Sequence, residues 1–460
     1  MLHAPFLRSF VLVLFFVVGL PSPVQAQAAS ALAQPPKEPE LNLASLLPRL
    51  VTSHDRILAA AARAESAQQQ YRRAWSGWYP RLGVFADGGY EYIDRPDDGE
   101  LDVDVGESSE LKNMQSLRLT QLLYDFGRTG GAISGSRARY EQAGYALEAI
   151  RQEVLLAGIR AYVDVLRAFH VLGFARRSEQ NIKQQTGIEE ALVQRGAGLS
   201  SDVLQAKSQL SAALVRRIAG EGDLANAFSY FKAIYLLEPT SEMVQRFAMP
   251  EIPTAAMPQN VDKAVALALK HNSRLLASMK NIEAAEGDVD VARSRFFPVV
   301  DFASDATRRE NELSVSGVRT EARALVELRY DFYSGGADKA ALESAKAERL
   351  SARRSMDDLK RQVEQQARIA WSNYQTAVQR AEYLAIQVDI LHEFLELARK
   401  ERRLGKRSLL DVLSGEVDYI NAQSSLAAAK AETVKAAYEL LHAMGRLNLE
   451  AVSPGSGQKQ

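Results

Sequence analysis

The chain states one unit twice, and a duplicated unit restricts it to architectures built from two like halves. Trp78-Tyr79-Pro80 returns as Phe296-Phe297-Pro298, 218 residues later. Tyr124-Asp125-Phe126 returns as Tyr330-Asp331-Phe332, each triplet followed within a few residues by a Gly-Gly pair. Gly196 and Asp202-Val203-Leu204 return as Gly405 and Asp411-Val412-Leu413, at a constant offset of 209. The offset falls from 218 to 206 across one loop and recovers to 209, so the two copies differ mainly in a single turn.

Periodicity assigns each copy the same order of elements. Residues 41–77 have helical spacing, and Pro80 forces the preceding residue out of the α region and stops the helix. Residues 81–94 switch to a period of two: Leu82, Val84, Ala86, Gly88, Tyr90 and Tyr92 share one face, and Asp87 and Glu91 take the other. An acid-rich loop at 95–111 follows, without the spacing of a calcium-binding loop. It reads as a solvated surface loop. A second strand is expected over 113–125. Residues 128–195 and 201–238 contain no proline and read as helices.

The second copy runs from 260 to 450: a helix over 260–296, strands over 299–308 and 319–332, and helices over 337–403 and 409–447. In its last strand Ala322, Ala324, Val326, Leu328 and Tyr330 alternate with Glu321, Arg323, Glu327, Arg329 and Asp331. The 337–403 helix carries an apolar seam from Val363 to Ala398 in alternating steps of four and three, a coiled-coil period. Residues 239–259 link the copies, and 451–460 form a polar tail.

The ends and the composition narrow the compartment. Arg8, the apolar run Phe10 to Leu20 and Val24-Gln25-Ala26 read as a signal peptide over residues 1–26, followed by a Pro-containing flexible leader over 27–40. Removing residues 1–26 moves the formal charge from -1 to -2, which gives no case for a nucleic-acid partner. The chain has no cysteine, so an acylated N-terminal Cys is excluded. After the signal no stretch approaches the 18 or so apolar residues of a membrane helix, so any bilayer crossing must use β-strands.

Lengths then decide the shape. A helix of nearly seventy residues is roughly 100 Å long at about 1.5 Å per residue. Four strands of ten to fourteen residues can cross a bilayer, yet the smallest single-chain bacterial barrels need about eight strands. A barrel must therefore be shared among subunits. Trp75, Trp78, Tyr79, Tyr124, Phe126, Phe296, Phe297, Tyr330, Phe332 and Tyr333 fall at helix–strand junctions, where an interfacial aromatic girdle would sit.

The duplicated helix-strand-strand-helix-helix plan, the YDFG and YDFYSGG junctions and the paired turns at Gly196–Leu204 and Gly405–Leu413 resemble the TolC family of outer-membrane efflux and secretion channels. The resemblance covers nearly the whole chain after the signal. It implies an α+β membrane protein: a homotrimer whose twelve strands, four per protomer, form one transmembrane β-barrel continued by a long α-helical coiled-coil barrel across the periplasm. It also implies two partners besides outer-membrane lipid. One is a periplasmic adaptor (membrane fusion) protein; the other is an inner-membrane transporter of the RND, ABC or MFS class, which delivers the cargo.

The resemblance further implies a periplasmic gate at the second turn, with Arg407 as its basic residue and Asp411 lining the constriction. Where some channels carry another acid one turn on, this chain has Ser414, and Glu416 is expected close by. Two readings of Asp411 coexist, gate lining and helix N-cap. Arg407 is open between a salt bridge restraining the tip and a solvated surface residue. Gly196, Gly198, Leu199, Ser200, Gly405, Lys406 and Ser408 are the expected adaptor-docking tips, because they interrupt the long helical arms and glycine permits a tight reversal.

Catalysis finds no support. The six histidines are dispersed, and no H-E-x-x-H, phosphate loop, G-x-S-x-G or cysteine site occurs. No cofactor and no metal are expected. A periplasmic coiled-coil structural or adaptor protein is the competing reading, and it leaves the alternating strands and their aromatic borders unexplained.

Overall fold

The computed structural model describes residues 42–93, 108–197, 199–312 and 315–452. The expected signal and leader, residues 94–107 of the acidic loop, Gly198 and the tail from 453 lie outside them. Two helices, α1 (Leu43–Ser53) and α2 (Asp55–Trp75), precede strands β1 (Arg81–Ile93) and β2 (Ser108–Tyr124). Next come α3 (Arg128–Gln194), α4 (Ser200–Tyr235) and α5 (Ser241–Gln245). The second copy supplies α6 (Val261–His271), α7 (Ser273–Ser294), β3 (Val299–Glu312), β4 (Val315–Arg329), α8 (Ala337–Arg403), α9 (Leu409–Ala443) and α10 (Leu449–Val452).

The single helices expected over 41–77 and 260–296 are each two. The break falls at His54 in the first copy and at Asn272 in the second, which are matching positions. His54 Nδ1 accepts from the Arg56 N–H at 3.2 Å, and Asn272 Oδ1 accepts from the N–H groups of Arg274 and Leu275 at 3.1 and 3.2 Å. Both side chains cap a new helix, which competes with continuing the old one. Helical periodicity persists across such a break.

Strand ends also depart from the alternation pattern. β4 stops at Arg329, short of the expected 332, because β3 begins opposite it at Val299 and Pro298 has no N–H to extend the ladder. β2 starts at Ser108 rather than 113 because residues 108–112 pair with 89–93 of β1, and β3 runs past 308 because Arg309 and Glu310 pair with Arg319 and Val318 of β4.

The sheet is antiparallel in the order β1-β2-β3-β4. Its register puts Leu82, Leu119, Ser304 and Ala324 in one row and Val84, Leu117, Ala306 and Ala322 in the next, all on one face. The opposite face carries Arg118, Asp305 and Arg323 in one row and Ser116, Thr307 and Glu321 in another. Charges there are paired across strands: Arg323 with Asp305 at 3.2 Å and Arg309 with Glu321 at 3.2 Å, with Arg319 also on Glu321. Among the described residues none covers the apolar face, and Leu82, Val84, Val326 and Leu328 are all strongly exposed. An uncovered apolar face backed by a paired-charge face is the pattern of a barrel wall between lipid and water.

The helices pack as two long antiparallel hairpins, α3 with α4 and α8 with α9, and α3 also packs along α9. Every seam position of α8, from Val363 to Ala398, is buried or half-buried. The main core gathers Tyr162 of α3, Phe231 of α4, Phe247 of the link after α5, and Tyr438 of α9. Tyr162 Oη donates to the Ala248 carbonyl at 3.0 Å and Tyr438 Oη to the Glu251 carbonyl at 2.9 Å, so two buried phenols fasten the link between the copies. Burial pushes both phenols up to about 12. α7 crosses α3 where Gly287 meets Gly131 and Gly135. A Cβ on Gly287 would sit 2.6 Å from the Gly135 nitrogen and 2.7 Å from the Gly131 oxygen. That approach is open to glycine alone.

Candidate functional site

About 100 Å of helix separates the sheet from the hairpin turns. The two turns are built alike. Past α3, Gly196 adopts φ +73°; its N–H donates to the Val193 carbonyl at 3.0 Å, and the Ala197 N–H donates to that of Leu192 at 2.9 Å. Past α8, Gly405 adopts φ +71°, donating to the Arg402 carbonyl at 2.9 Å while the Lys406 N–H reaches that of Glu401 at 3.0 Å. This paired-bond ending satisfies the last helical carbonyls and requires a left-handed residue. Leu199, Ser200, Lys406 and Ser408 are exposed around the turns.

The helices leaving the turns start differently. Ser408 caps α9, its Oγ accepting from the Asp411 N–H at 3.1 Å, whereas α4 begins after Leu199 without a side-chain cap. Asp411 is therefore not the N-cap that its position after a turn suggests. It is an exposed carboxylate in the first turn of α9, where the helix dipole favours an anion. Ser414 is exposed one turn on, and Asp418, Asn421 and Ser425 continue the same polar stripe. Asp418 escaped the sequence reading, although its place seven residues after Asp411 was a usable signal.

Glu416 does not join that stripe. It is buried, accepting from Asn181 Nδ2 of α3 at 2.6 Å and from Arg399 of α8. The chain's apolar positions flank it on α9, at Val412, Leu413 and Ile420, and turn it inward. A second buried carboxylate, Glu189 of α3, accepts from Arg402 Nη2 of α8 at 3.0 Å. Arg402–Glu189 and Asn181–Glu416 thus join the second hairpin to the first, while Arg399 ties Glu416 of α9 to α8 within the second. Arg407 Nε donates to Glu401 Oε2 at 2.7 Å, and its guanidinium lies 5.2 Å from the centre of the Phe394 ring. Its partners belong to its own hairpin. Arg399, Arg402, Glu189 and Asn181 lacked any motif, because the pairing depends on how α3 faces α8 and α9.

At the other end, the aromatic residues border the sheet. Tyr124 meets Phe126 edge-on at 4.6 Å, and Phe126 stacks on Phe297 at 5.1 Å. Trp75, Tyr79 and Phe296 are exposed, while Trp78 is half-buried with its carbonyl accepting from Gln121 Nε2 at 2.8 Å. Asp125 is buried and accepts from the N–H groups of Gly127 and Thr129 at 3.2 and 2.7 Å, capping α3. Its repeat mate Asp331 is exposed, and Tyr330, Phe332 and Tyr333 beside it are bare. Among the described residues there is no cluster of His, Cys, Asp and Glu that would hold a metal ion.

A sheet with one lipid-ready face, two long helical hairpins and polar tips define an outer-membrane export channel. The outer membrane efflux protein family model matches residues 46–232 and 264–446, and the chain belongs to that family. Outer membrane efflux protein BepC of Brucella suis is 25% identical over 73% of this chain and 72% of its own length. Outer membrane protein TolC of Escherichia coli is 23% identical over 88% of this chain and 83% of its own. The outer-membrane channel OprN superimposes with a TM-score of 0.77 at 20% identity, covering 88% of this chain and 90% of that one. The protein thus resides in the outer membrane, reaches into the periplasm and serves efflux or type I secretion.

Proposed function

We propose that three copies close around one axis into a continuous duct, with twelve strands in the membrane and the α3–α4 and α8–α9 hairpins forming its periplasmic wall. The observation that carries this reading is that both layers end in open edges. Among the described residues β1 and β4 each have one unpaired side, which in lipid costs several kcal/mol per unsatisfied group. In the helical layer α4 and α8 carry exposed apolar residues on their outer faces, Leu204, Val215 and Ile218 on one and Ile386, Ile390 and Leu397 on the other. Ring closure covers all of them. The paired-charge face of the sheet then lines a wet lumen and the apolar face meets lipid.

The chain works without catalysis or a cofactor of its own. Its tips at Gly196–Ser200 and Gly405–Ser408 meet a periplasmic adaptor, and an inner-membrane RND, ABC or MFS transporter supplies energy and cargo. Asp411, with Ser414 and Asp418 on the same stripe, lines the periplasmic entrance, and Arg407 stiffens the turn that presents it. Mass measurement of the detergent-purified protein tests the assembly: a trimer is expected, and a stable monomer overturns it. Bulky residues at both Gly196 and Gly405 test the docking, since export should be lost while the trimer persists; unchanged export rejects it.

A further inference from the structure

Arg308 stands on the wrong face of the sheet for a charge. The ladders place it in one row with Gln115 of β2 and Thr320 of β4, on the same side as Val84, Leu117, Ala306 and Ala322. Among the described residues of the sheet it is the one cationic side chain on that outward face. On the inward face Arg309, Arg319 and Arg323 are each paired with a carboxylate. Arg308 is exposed, and among the described residues no carboxylate is paired with it.

Its height on the wall follows from the strands themselves. Counted from the helical end, the first outward residues of β1, β3 and β4 are Leu82, Val300 and Leu328. The next three outward residues of each strand are uncharged, and the fifth is Tyr90, Arg308 and Thr320 respectively. Eight residues at about 3.4 Å each, tilted by about 40°, rise about 21 Å, close to the roughly 25 Å apolar band of an outer-membrane barrel. The three strands thus leave the band together, and Arg308 stands at its extracellular edge. An arginine facing lipid is costly at the bilayer midplane and nearly free at this level. A shallow depression of about 240 Å³ adjoins it, lined by Val84, Gln115, Leu117, Ala306 and Thr320.

We infer that Arg308, flanked by Gln115 and Thr320, holds the phosphate of a phosphorylated glycolipid in the outer leaflet, whose acyl chains run down the apolar face past Val84 and Leu117. This rests on the barrel reading and adds a ligand to its wall. A guanidinium presents a planar fork of donors that matches two phosphate oxygens at once. The Gln115 amide and the Thr320 hydroxyl supply neutral donors on either side of it. The site lies wholly on β2, β3 and β4, so each copy carries a complete one.

The surroundings fix the depth of the headgroup. The next outward residue of β3 is Glu310, opposite Asn113 and Val318 and about 6.7 Å further along the strand. The positive charge therefore sits between an uncharged band and an acidic row, so a phosphate is drawn to Arg308 and repelled from the level beyond. A soluble anion has no chains to fill the depression and gains only an exposed charge contact, which contributes little. A lipid without phosphate gains only the apolar contact. Both parts of the ligand are needed.

Native mass spectrometry of the delipidated full-length protein, titrated in detergent with diphosphoryl lipid A, tests the site. Arg308→Gln should weaken lipid A binding about ten-fold, what a charge-assisted hydrogen bond contributes. Arg308→Lys, which keeps the charge and loses the fork, should fall between that variant and wild type. Arg118→Gln makes the same charge change on the inward face and should leave binding unchanged. Dephosphorylated lipid A should bind wild type no better than diphosphoryl lipid A binds Arg308→Gln, and millimolar inorganic phosphate should not compete. Equal lipid A binding by wild type and Arg308→Gln, undiminished binding of the dephosphorylated lipid, or displacement by inorganic phosphate overturns the headgroup site; a trimer in the same spectra leaves the barrel reading standing. If Arg118→Gln loses the lipid and Arg308→Gln does not, the two faces are reversed and both readings fall.

Discussion

Replacing Arg399 with Ala is the sharpest test of how the tip is held. The change leaves Glu416 buried with Asn181 as its remaining partner across to α3. Removing one partner of a buried pair costs about 3–5 kcal/mol. Arg399 is 38% exposed, so solvent screening brings the figure to about 2–3 kcal/mol. That is roughly a 30- to 150-fold shift in the equilibrium between a packed tip, with Glu416 held between α3, α8 and α9, and an opened one in which Glu416 reaches water. Two readouts follow. Opened tips let the turn at Lys406 and Arg407 unfold far enough for trypsin to cut, and that cutting tracks the open population. In planar bilayers the fraction of time spent at high conductance should rise.

The companion variant separates local electrostatics from general damage. Arg399→Met with Glu416→Leu removes both charges and fills similar volume, and such exchanges are often neutral or stabilising. The double variant should regain wild-type protease resistance and conductance. If it is as loose as Arg399→Ala, or if Arg399→Ala changes neither readout, the buried pair does not fasten the tip.

Other consequences are as direct. Asp411→Ala should weaken block by multivalent cations added on the periplasmic side, the Asp411→Ala/Asp418→Ala double should weaken it further, and Ser414→Asp should deepen it; equal block in all of them places the constriction elsewhere. Asp125→Ala loses a buried cap and should cost about 1–2 kcal/mol, whereas Asp331→Ala in the same motif should stay within about 0.5 kcal/mol; thermal unfolding of the two reads the difference. Burial, assisted by Arg274 and Arg160 and opposed by Glu153, lowers the His442 imidazole from 6.5 to about 4. The unfolded chain then binds the extra proton first, so stability falls as pH drops from about 6.5 to about 4, by about 3 kcal/mol at the lower end. His442→Gln should flatten that part of the pH–stability curve, and an unchanged slope rejects the assignment.

The plan of the molecule was legible because its strongest signals are local and periodic. Proline punctuation at Pro80 and Pro298, alternation in four strands and an unbroken seam in α8 each depend on neighbours in sequence, and the duplication let each copy corroborate the other. Where the pattern misled, a polar side chain or a missing partner was responsible. His54 and Asn272 broke helices without disturbing their periodicity. The ladder ended β4 at Arg329, although the alternation continued to Asp331.

The tip was legible only in part, for a different physical reason. Asp411, Gly405 and Ser408 sit in a turn whose chemistry is set by adjacent residues. Glu416 could not be placed that way. Its face on α9 differs from that of Asp411 by a fraction of a turn, and only the packing of α9 on α3 and α8 turns one carboxylate to solvent and buries the other. The same logic explains why two copies of one motif behave differently. Asp125 is buried and Phe126, though 40% exposed, stacks on Phe297 at the approach to β3, while Asp331 and the 87% exposed Phe332 stand at the edge of the chain. A duplicated sequence inside one chain necessarily meets its own copy on one side and nothing on the other. The contrast in burial between repeat mates therefore measures what the assembled ring must supply: the charged strand faces need only water, and the outer edges need another copy of the same chain.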